Sequence, residues 1–201
     1  MSFLTLVRHG QSIYNLENRF TGSLDVELTV IGKEEALRAG HKLKGYHYDA
    51  AYTSTLKRAQ ESLEIILKEI DQPKIRLTKN AALNERMYGN LQGLNKGDTI
   101  KEYGAAQVEL WRRSYAVRPP DGESLEDTYK RTVPYYQLEI EPKLKAKENI
   151  LLVAHGNSLR ALMMYLEAID SQAIEKVDLP TGMPRHYILD DSLNILSVAY
   201  L

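Results

Sequence analysis

Two stretches constrain the fold of this chain more than any other feature. They are Leu4-Thr5-Leu6-Val7-Arg8-His9-Gly10-Gln11-Ser12 and Ile150-Leu151-Leu152-Val153-Ala154-His155-Gly156-Asn157-Ser158. Each opens as a near-continuous aliphatic run, the pattern of a strand covered on both faces. Each then stops abruptly at His-Gly, an amide side chain and Ser. Strands buried on both faces belong to largely parallel sheets with helices above and below, and such sheets gather ligands at the carboxyl ends of their strands. Two histidines are therefore expected at one sheet edge.

The segments between and after these runs fit that frame. Thr29 is placed to cap a helix to about Leu43 that buries Ala36, Ala39, Gly40 and Leu43, with Gly45 ending it. Asp49–Thr53 reads as a second strand. Ser54 or Thr55 is then expected to cap a helix whose Leu56, Ala59, Leu63, Ile66 and Ile70 recur at three/four spacing. Ile75–Thr78 reads as a third strand. The run Asn84–Lys96 has neither period and is dense in Gly and charge. Short helices are expected over Thr99–Tyr115, and a helix capped by the Ser124/Asp127 box should bend at Pro134. A helix burying Leu159, Leu162, Met163 and Leu166 follows the second His-Gly run, and His186–Leu189 and Ile195–Tyr200 close the chain as strands. Alternating strands and helices predict an α/β three-layer sandwich, a mainly parallel central sheet with helices on both faces, with residues 1–201 as a single domain.

Composition removes several classes of function. With 26 basic against 27 acidic side chains, the formal charge is −1, so no nucleic-acid or membrane partner is expected and any anion site must concentrate its cations locally. The chain has no cysteine, which excludes disulfides, thiolate metal sites and thiol nucleophiles. No apolar run approaches the roughly 20 residues of a membrane span, and the Phe3–Val7 run is too short for a signal core. A cytoplasmic protein is the expectation. Walker A, Gly-x-Gly-x-x-Gly, His-Glu-x-x-His and Gly-x-Ser-x-Gly motifs are all missing, and five histidines without thiols do not predict a metal cage.

What remains points to phosphate. A neutral imidazole is a good nucleophile for phosphorus and can carry a phosphoryl group covalently. Free amides at a helix start stabilise phosphate oxygens. Arg8 adjoins His9, and Arg58 sits in the first turn of a helix, where a cation gains nothing from the helix dipole. Guanidinium forks match the equatorial oxygens of a phosphoryl transition state. Taken alone, His9 is equally a satisfied strand-end histidine, and Arg58 reads first as an ordinary surface arginine; their joint occurrence is what favours a site.

Arg8-His9-Gly10-Gln11-Ser12 with Asn15, Thr53-Ser54-Thr55-Leu56-Lys57-Arg58-Ala59 and His155-Gly156-Asn157-Ser158-Leu159-Arg160 together resemble the three core motifs of the histidine phosphatase superfamily. More narrowly, Arg19-Phe20-Thr21-Gly22, the run from Asn84-Glu85-Arg86-Met87-Tyr88-Gly89 to Gly93-Leu94-Asn95-Lys96, and Trp111-Arg112-Arg113 resemble the 2,3-bisphosphoglycerate-dependent phosphoglycerate mutases. The likeness spans essentially the whole chain. It implies that His9 becomes phosphohistidine and that Arg8, Arg58, His155, Gly156 and Asn157 hold the transferring group, with Asn15 beside them. It implies Glu85 as general acid/base, and Thr21, Gly22, Arg86, Tyr88, Lys96, Arg112 and Arg113 as the grip on the substrate's carboxylate and distal phosphate.

The implied reaction interconverts 3- and 2-phosphoglycerate in glycolysis and gluconeogenesis. Phosphoglycerates would be the small-molecule partners, 2,3-bisphosphoglycerate the primer, and no metal would be needed. Six cations, Arg8, Arg58, Arg86, Lys96, Arg112 and Arg113, would face one carboxylate, Glu85. A phosphomonoesterase of the same superfamily and a non-catalytic phospho-ligand module are the alternatives. Two departures bear on mechanism. Only Asp121-Gly122 separates Pro119-Pro120 from Glu123-Ser124-Leu125 where longer members carry an insertion, and the sequence stops at Leu201 where they continue into a closing tail. A short form, monomer or homodimer, with appreciable phosphatase side activity is the resulting expectation.

Overall fold

A computed structural model describes residues 1–201. In chain order it contains β1 (Ser2–Arg8), the short α1 (Ile13–Leu16), α2 (Val30–Leu43), β2 (Ala50–Thr53), α3 (Lys57–Glu69) and β3 (Arg76–Lys79). Then follow α4 (Lys96–Tyr103), α5 (Ala105–Arg113), α6 (Leu125–Tyr135), a π turn over Tyr136–Ile140, α7 (Glu141–Lys145), β4 (Ile150–Ala154), α8 (Gly156–Leu166), β5 (Pro184–Leu189) and β6 (Ile195–Tyr200). No helix is long and apolar enough to cross a membrane.

The sheet order is β3-β2-β4-β1-β5-β6. The first four strands run parallel, and β5 and β6 add an antiparallel margin. The period of two along β4 sorts the core into halves. Ile150, Leu152 and Ala154 pack with Leu4, Leu6 and Tyr52 against Val133, Ile140, Leu159 and Leu162. Leu151 and Val153 pack with Val7 and Ala51 against Ala39, Leu43, Leu63 and Ile66 on the opposite face. Helices thus cover both faces of a mixed sheet, as the double-sided apolar runs require.

The central pair β1 and β4 matters most for function. The strands lie side by side in parallel, with Arg8 opposite Ala154. The next long helix after β1, α2, packs on one face, whereas α8 packs on the other. Chain leaving two adjacent strands for opposite faces opens a crevice at their carboxyl ends. His9 and His155 are the first residues beyond those ends.

Close backbone approach sets the turn after β1. A Cβ on Gly10 would stand 2.0 Å from the Gly32 carbonyl oxygen, and one on Gly32 would stand 2.1 Å from that of Gln11. Both positions are backbone against backbone, so no rotamer change relieves the clash. Gly10→Ala should therefore cost about 3 kcal/mol or more, at the upper end of overpacking effects. The urea midpoint reports it, and an unchanged midpoint would show that α2 is free to move away.

Three local expectations shift. The third strand lies over Arg76–Lys79 rather than starting at Ile75. The helix expected from Thr99 begins at Lys96, because the Asn95 side chain accepts from the amides of Gly97 and Asp98. Neither Ser54 nor Thr55 caps α3; its N-cap is Leu56, without a side-chain bond, and the Lys57 amide donates to Asp25 at 2.7 Å. The two hydroxyls are used elsewhere, as described below.

Candidate active site

His9 is built into the sheet edge. Its amide donates to the Ala154 carbonyl at 2.9 Å, continuing the β1–β4 ladder by one residue. Its ring is buried, and Nδ1 lies 2.6 Å from the Gly10 carbonyl oxygen. A carbonyl only accepts, so Nδ1 carries the hydrogen and Nε2 keeps its lone pair. The His155 ring stands 4.9 Å from it, centroid to centroid, at 60°. Ser54 Oγ accepts from the Leu56 amide and lies 2.7 Å from His155 Nε2. With that hydroxyl donating to Nε2, the His155 hydrogen is assigned to Nδ1, which is buried without a protein partner.

Both rings are held neutral. Burial is the main force lowering the His9 pKa well below 6.5, followed by repulsion from Arg58 and Arg8, against a smaller opposing pull from the Gly10 carbonyl. His155 is lowered by burial, then by Arg58, His9 and Arg8. In the unfolded chain each would titrate near 6.5. The unfolded state therefore binds more protons once pH drops below that value, and stability must fall with it. The contribution of the pair is intact above about pH 6.5 and is lost as pH falls through that value toward the folded-state pKa. Urea midpoints taken between about pH 7.5 and 5 should decline for the native chain and decline less for a His9→Asn/His155→Asn double variant. Parallel curves would contradict buried neutral rings.

Two guanidiniums flank the histidines, anchored to backbone rather than to acids. Arg8 Nη1 donates to the Leu179 carbonyl at 2.7 Å. Arg58 donates to the carbonyls of Leu24 and Gly22, both at 2.8 Å. Burial foremost draws the Arg58 pKa down to about 10, which leaves it cationic at neutral pH. The Nε atoms of Arg8 and Arg58 are buried without a protein partner. Together with His155 Nδ1 these are donors that an anion would satisfy, because leaving buried donors unpaired is costly.

Glu85 enters from the irregular Asn84–Lys96 run. Its Oε1 accepts from the amides of Arg86 (2.8 Å) and Asn157 (3.1 Å), so one oxygen is fixed against the first turn of α8. The other oxygen lies beside Gly156, where an added Cβ would be 3.7 Å away. The loop that carries Glu85 is tied down from behind. Arg131 of α6 donates to the carbonyls of Ala82, Asn84 and Glu85 and pairs with Glu123. Thr55 donates both its amide and its hydroxyl to the Asn84 side chain.

These elements surround a polar cleft of about 120 Å³. Of the residues expected at a site, Arg8, Asn15, Thr21, Gly22, Glu85, Tyr88, Lys96, Arg112, Arg113, Gly156 and Asn157 line it. His9, Arg58 and His155 are buried and do not form its wall. Asn15 accepts from the Ser12 amide and hydroxyl through Oδ1, which leaves its NH2 group free of that turn. Lys96 is lowered by burial and then by Arg112.

Arg86 stands behind the cleft wall, with Nε and Nη1 buried without a protein partner. It is fully buried, away from the cleft wall, with Nη2 donating to the Tyr88 hydroxyl and the Arg112 carbonyl, both at 2.8 Å. Its guanidinium also lies 4.6 Å from the Tyr88 ring centre. It supports Tyr88 and the end of α5 from behind. Burial alone would raise the Tyr88 pKa, but Arg86 and the Asn157 side chain oppose it, and the net direction is down.

Sequence reasoning missed four wall residues, Arg19, Phe20, Arg160 and Asp178. Arg160 carried a signal: a lone charge between Leu159 and Ala161 in an otherwise apolar helical run. Asp178 carried none.

A buried imidazole pair at the switch point of an α/β sheet, ringed by guanidiniums and helix-start amides, defines a phosphoryl-handling class of protein. The family model described as histidine phosphatase superfamily (branch 1) matches residues 4–190. A protein of Cytophaga hutchinsonii named 2,3-bisphosphoglycerate-dependent phosphoglycerate mutase is 55% identical over 201 residues, covering 100% of this chain and 94% of that one. A Schizosaccharomyces pombe protein named phosphoglycerate mutase is 50% identical, covering 94% of this chain and 90% of its own. In fold, a mycobacterial glucosyl-3-phosphoglycerate phosphatase superposes with a TM-score of 0.85 over 100% of this chain and 97% of its own, at 22% identity. The chain belongs to the histidine phosphatase superfamily and, within it, to the phosphoglycerate mutase family.

Proposed function

We propose that this protein interconverts 3- and 2-phosphoglycerate through a phosphohistidine at His9, primed by 2,3-bisphosphoglycerate. The observation that carries the reading is the His9 tautomer: Nδ1 is bound to the Gly10 carbonyl, so a neutral Nε2 is free to attack phosphorus. The unpartnered donors Arg8 Nε, Arg58 Nε and His155 Nδ1 fit a phosphoryl group beside it. They supply charge where an in-line transfer develops it, so the reading asks for no metal.

His9 Nε2 accepts the phosphoryl group as the P–O bond to the substrate breaks, and Glu85 gives the departing oxygen its proton. In the return direction Glu85 takes the proton of the attacking substrate hydroxyl. Lys96, Arg112 and Arg113 hold the carboxylate and the distal phosphate, and Tyr88, Asn15 and Asn157 add hydrogen bonds. When bound, 2,3-bisphosphoglycerate supplies the first phosphoryl group, and the same residues would hold it.

The decisive assay supplies 3-phosphoglycerate with and without trace 2,3-bisphosphoglycerate and follows 2-phosphoglycerate and free phosphate. Primer-dependent isomerisation supports the proposal. Phosphate release alone would assign a phosphomonoesterase, and neither product would leave a binding module.

A further inference from the structure

Arg160 is a buried guanidinium whose hydrogen bonds go to no carboxylate. It is 3% exposed, and it donates through Nη1 to Asn157 Oδ1 (3.0 Å) and through Nη2 to the carbonyls of Ile174 (2.6 Å) and Arg113 (3.3 Å). Its Nε is buried without a protein partner, and the residue borders the anion cleft. Burial foremost draws its pKa down to about 10, so the charge persists at neutral pH. Keeping an unpaired cation out of water is expensive, and a hydrophobic residue would suit an apolar helix better.

The contacts account for the expense. By accepting from Arg160, the Asn157 carbonyl oxygen is fixed on the Arg160 side, which leaves its NH2 group for the cleft that Asn157 lines. The Asn157 backbone amide meanwhile holds Glu85. On its other side Arg160 grasps the last carbonyl of α5, the turn that carries Arg112 and Arg113. Carbonyls at a helix C-terminus attract cations, so this is a favourable anchor. A single guanidinium therefore touches both the Gly156–Asn157 end of the cleft and the Arg112–Arg113 end.

We propose that Arg160 is a positioning residue that sets the spacing between the phosphoryl end of the cleft and the end that grips the rest of the substrate, acting through Asn157 and Arg113. This rests on the phosphoglycerate reading above, because only a ligand with two anionic ends feels that spacing. Inorganic phosphate, with one, does not.

Calorimetric binding of 3-phosphoglycerate and of inorganic phosphate to the native chain, Arg160→Gln and Arg160→Lys tests it, alongside primed isomerisation kinetics. For Arg160→Gln, affinity for 3-phosphoglycerate should fall about 10- to 100-fold, the loss expected for charge-assisted hydrogen bonds, while phosphate binding changes by less than about threefold. KM should rise more than kcat falls. Arg160→Lys, which retains the charge but cannot reach both ends, should fall between, and it decides by the same criteria where the glutamine variant does not fold. Equal losses for both ligands, or no loss for either, would overturn the proposal. Native chain that binds 3-phosphoglycerate no better than phosphate would sink the functional reading itself, and the role of Arg160 with it, an outcome visible before any variant is made.

Discussion

Replacing His9 with asparagine should abolish covalent phosphorylation and lower isomerisation by about 10⁴-fold or more, the scale of removing a nucleophile. Asparagine suits the test because its amide NH2 can take the place of Nδ1–H and keep the bond to the Gly10 carbonyl. The turn after β1 is then preserved, and only Nε2 is lost. Incubation with 2,3-bisphosphoglycerate bearing a labelled phosphoryl group should leave an acid-labile, base-stable label on the native chain and none on the variant. His155→Asn should still take up label, more slowly, because His155 is bound to Ser54 and meets the phosphoryl group only through Nδ1–H. Label that survives His9→Asn and disappears with His155→Asn would exchange the two roles.

That exchange is a real alternative at the level of sequence, where the two His-Gly runs look alike. The aliphatic runs were enough to place both histidines at one edge of a largely parallel sheet, since residues buried on both faces leave few other arrangements. Periodicity and caps also placed α2 with its Thr29 cap and α6 with its Ser124/Asp127 box. The antiparallel β5–β6 margin was legible only as two closing strands, because period-two patterning does not encode direction.

What sequence could not give was the use of side chains over long separations. Ser54 and Thr55 look like helix caps, yet they serve His155 and Asn84, while α3 takes Asp25 from 32 residues away. A local rule fails there because tertiary partners outcompete it. Arg86 illustrates the same limit: nothing in its charged run announces that Nη2 is committed to the Tyr88 hydroxyl and the Arg112 carbonyl. Arg131 and Arg160 hold the Glu85 loop and the end of α5, yet Arg131 reads as one charge among several on α6 and Arg160 only as a lone charge on α8. The residues expected at the wall were legible from motif; their supports were not.

Glu85→Gln should separate the two halves of the chemistry. Glutamine keeps a carbonyl oxygen to accept from the Arg86 and Asn157 amides, so the side chain stays in place. The atom beside Gly156 then becomes an NH2 group, which cannot take a proton from a substrate hydroxyl or return one as an acid. Primed isomerisation should fall by about 10²- to 10⁴-fold, the usual worth of a positioned acid/base. The burst of nitrophenolate from p-nitrophenyl phosphate should change far less, because nitrophenolate departs without a proton as the phosphoryl group passes to His9 beside Arg8, Arg58 and His155. The ratio of the two rates is the diagnostic. A parallel loss would mean that Glu85 holds the first turn of α8 in place and moves no proton, and an unchanged isomerisation rate would hand the proton to another group. Among the wall residues the next group to try is then Tyr88, whose hydroxyl accepts from Arg86 at 2.8 Å and whose own hydrogen must point elsewhere.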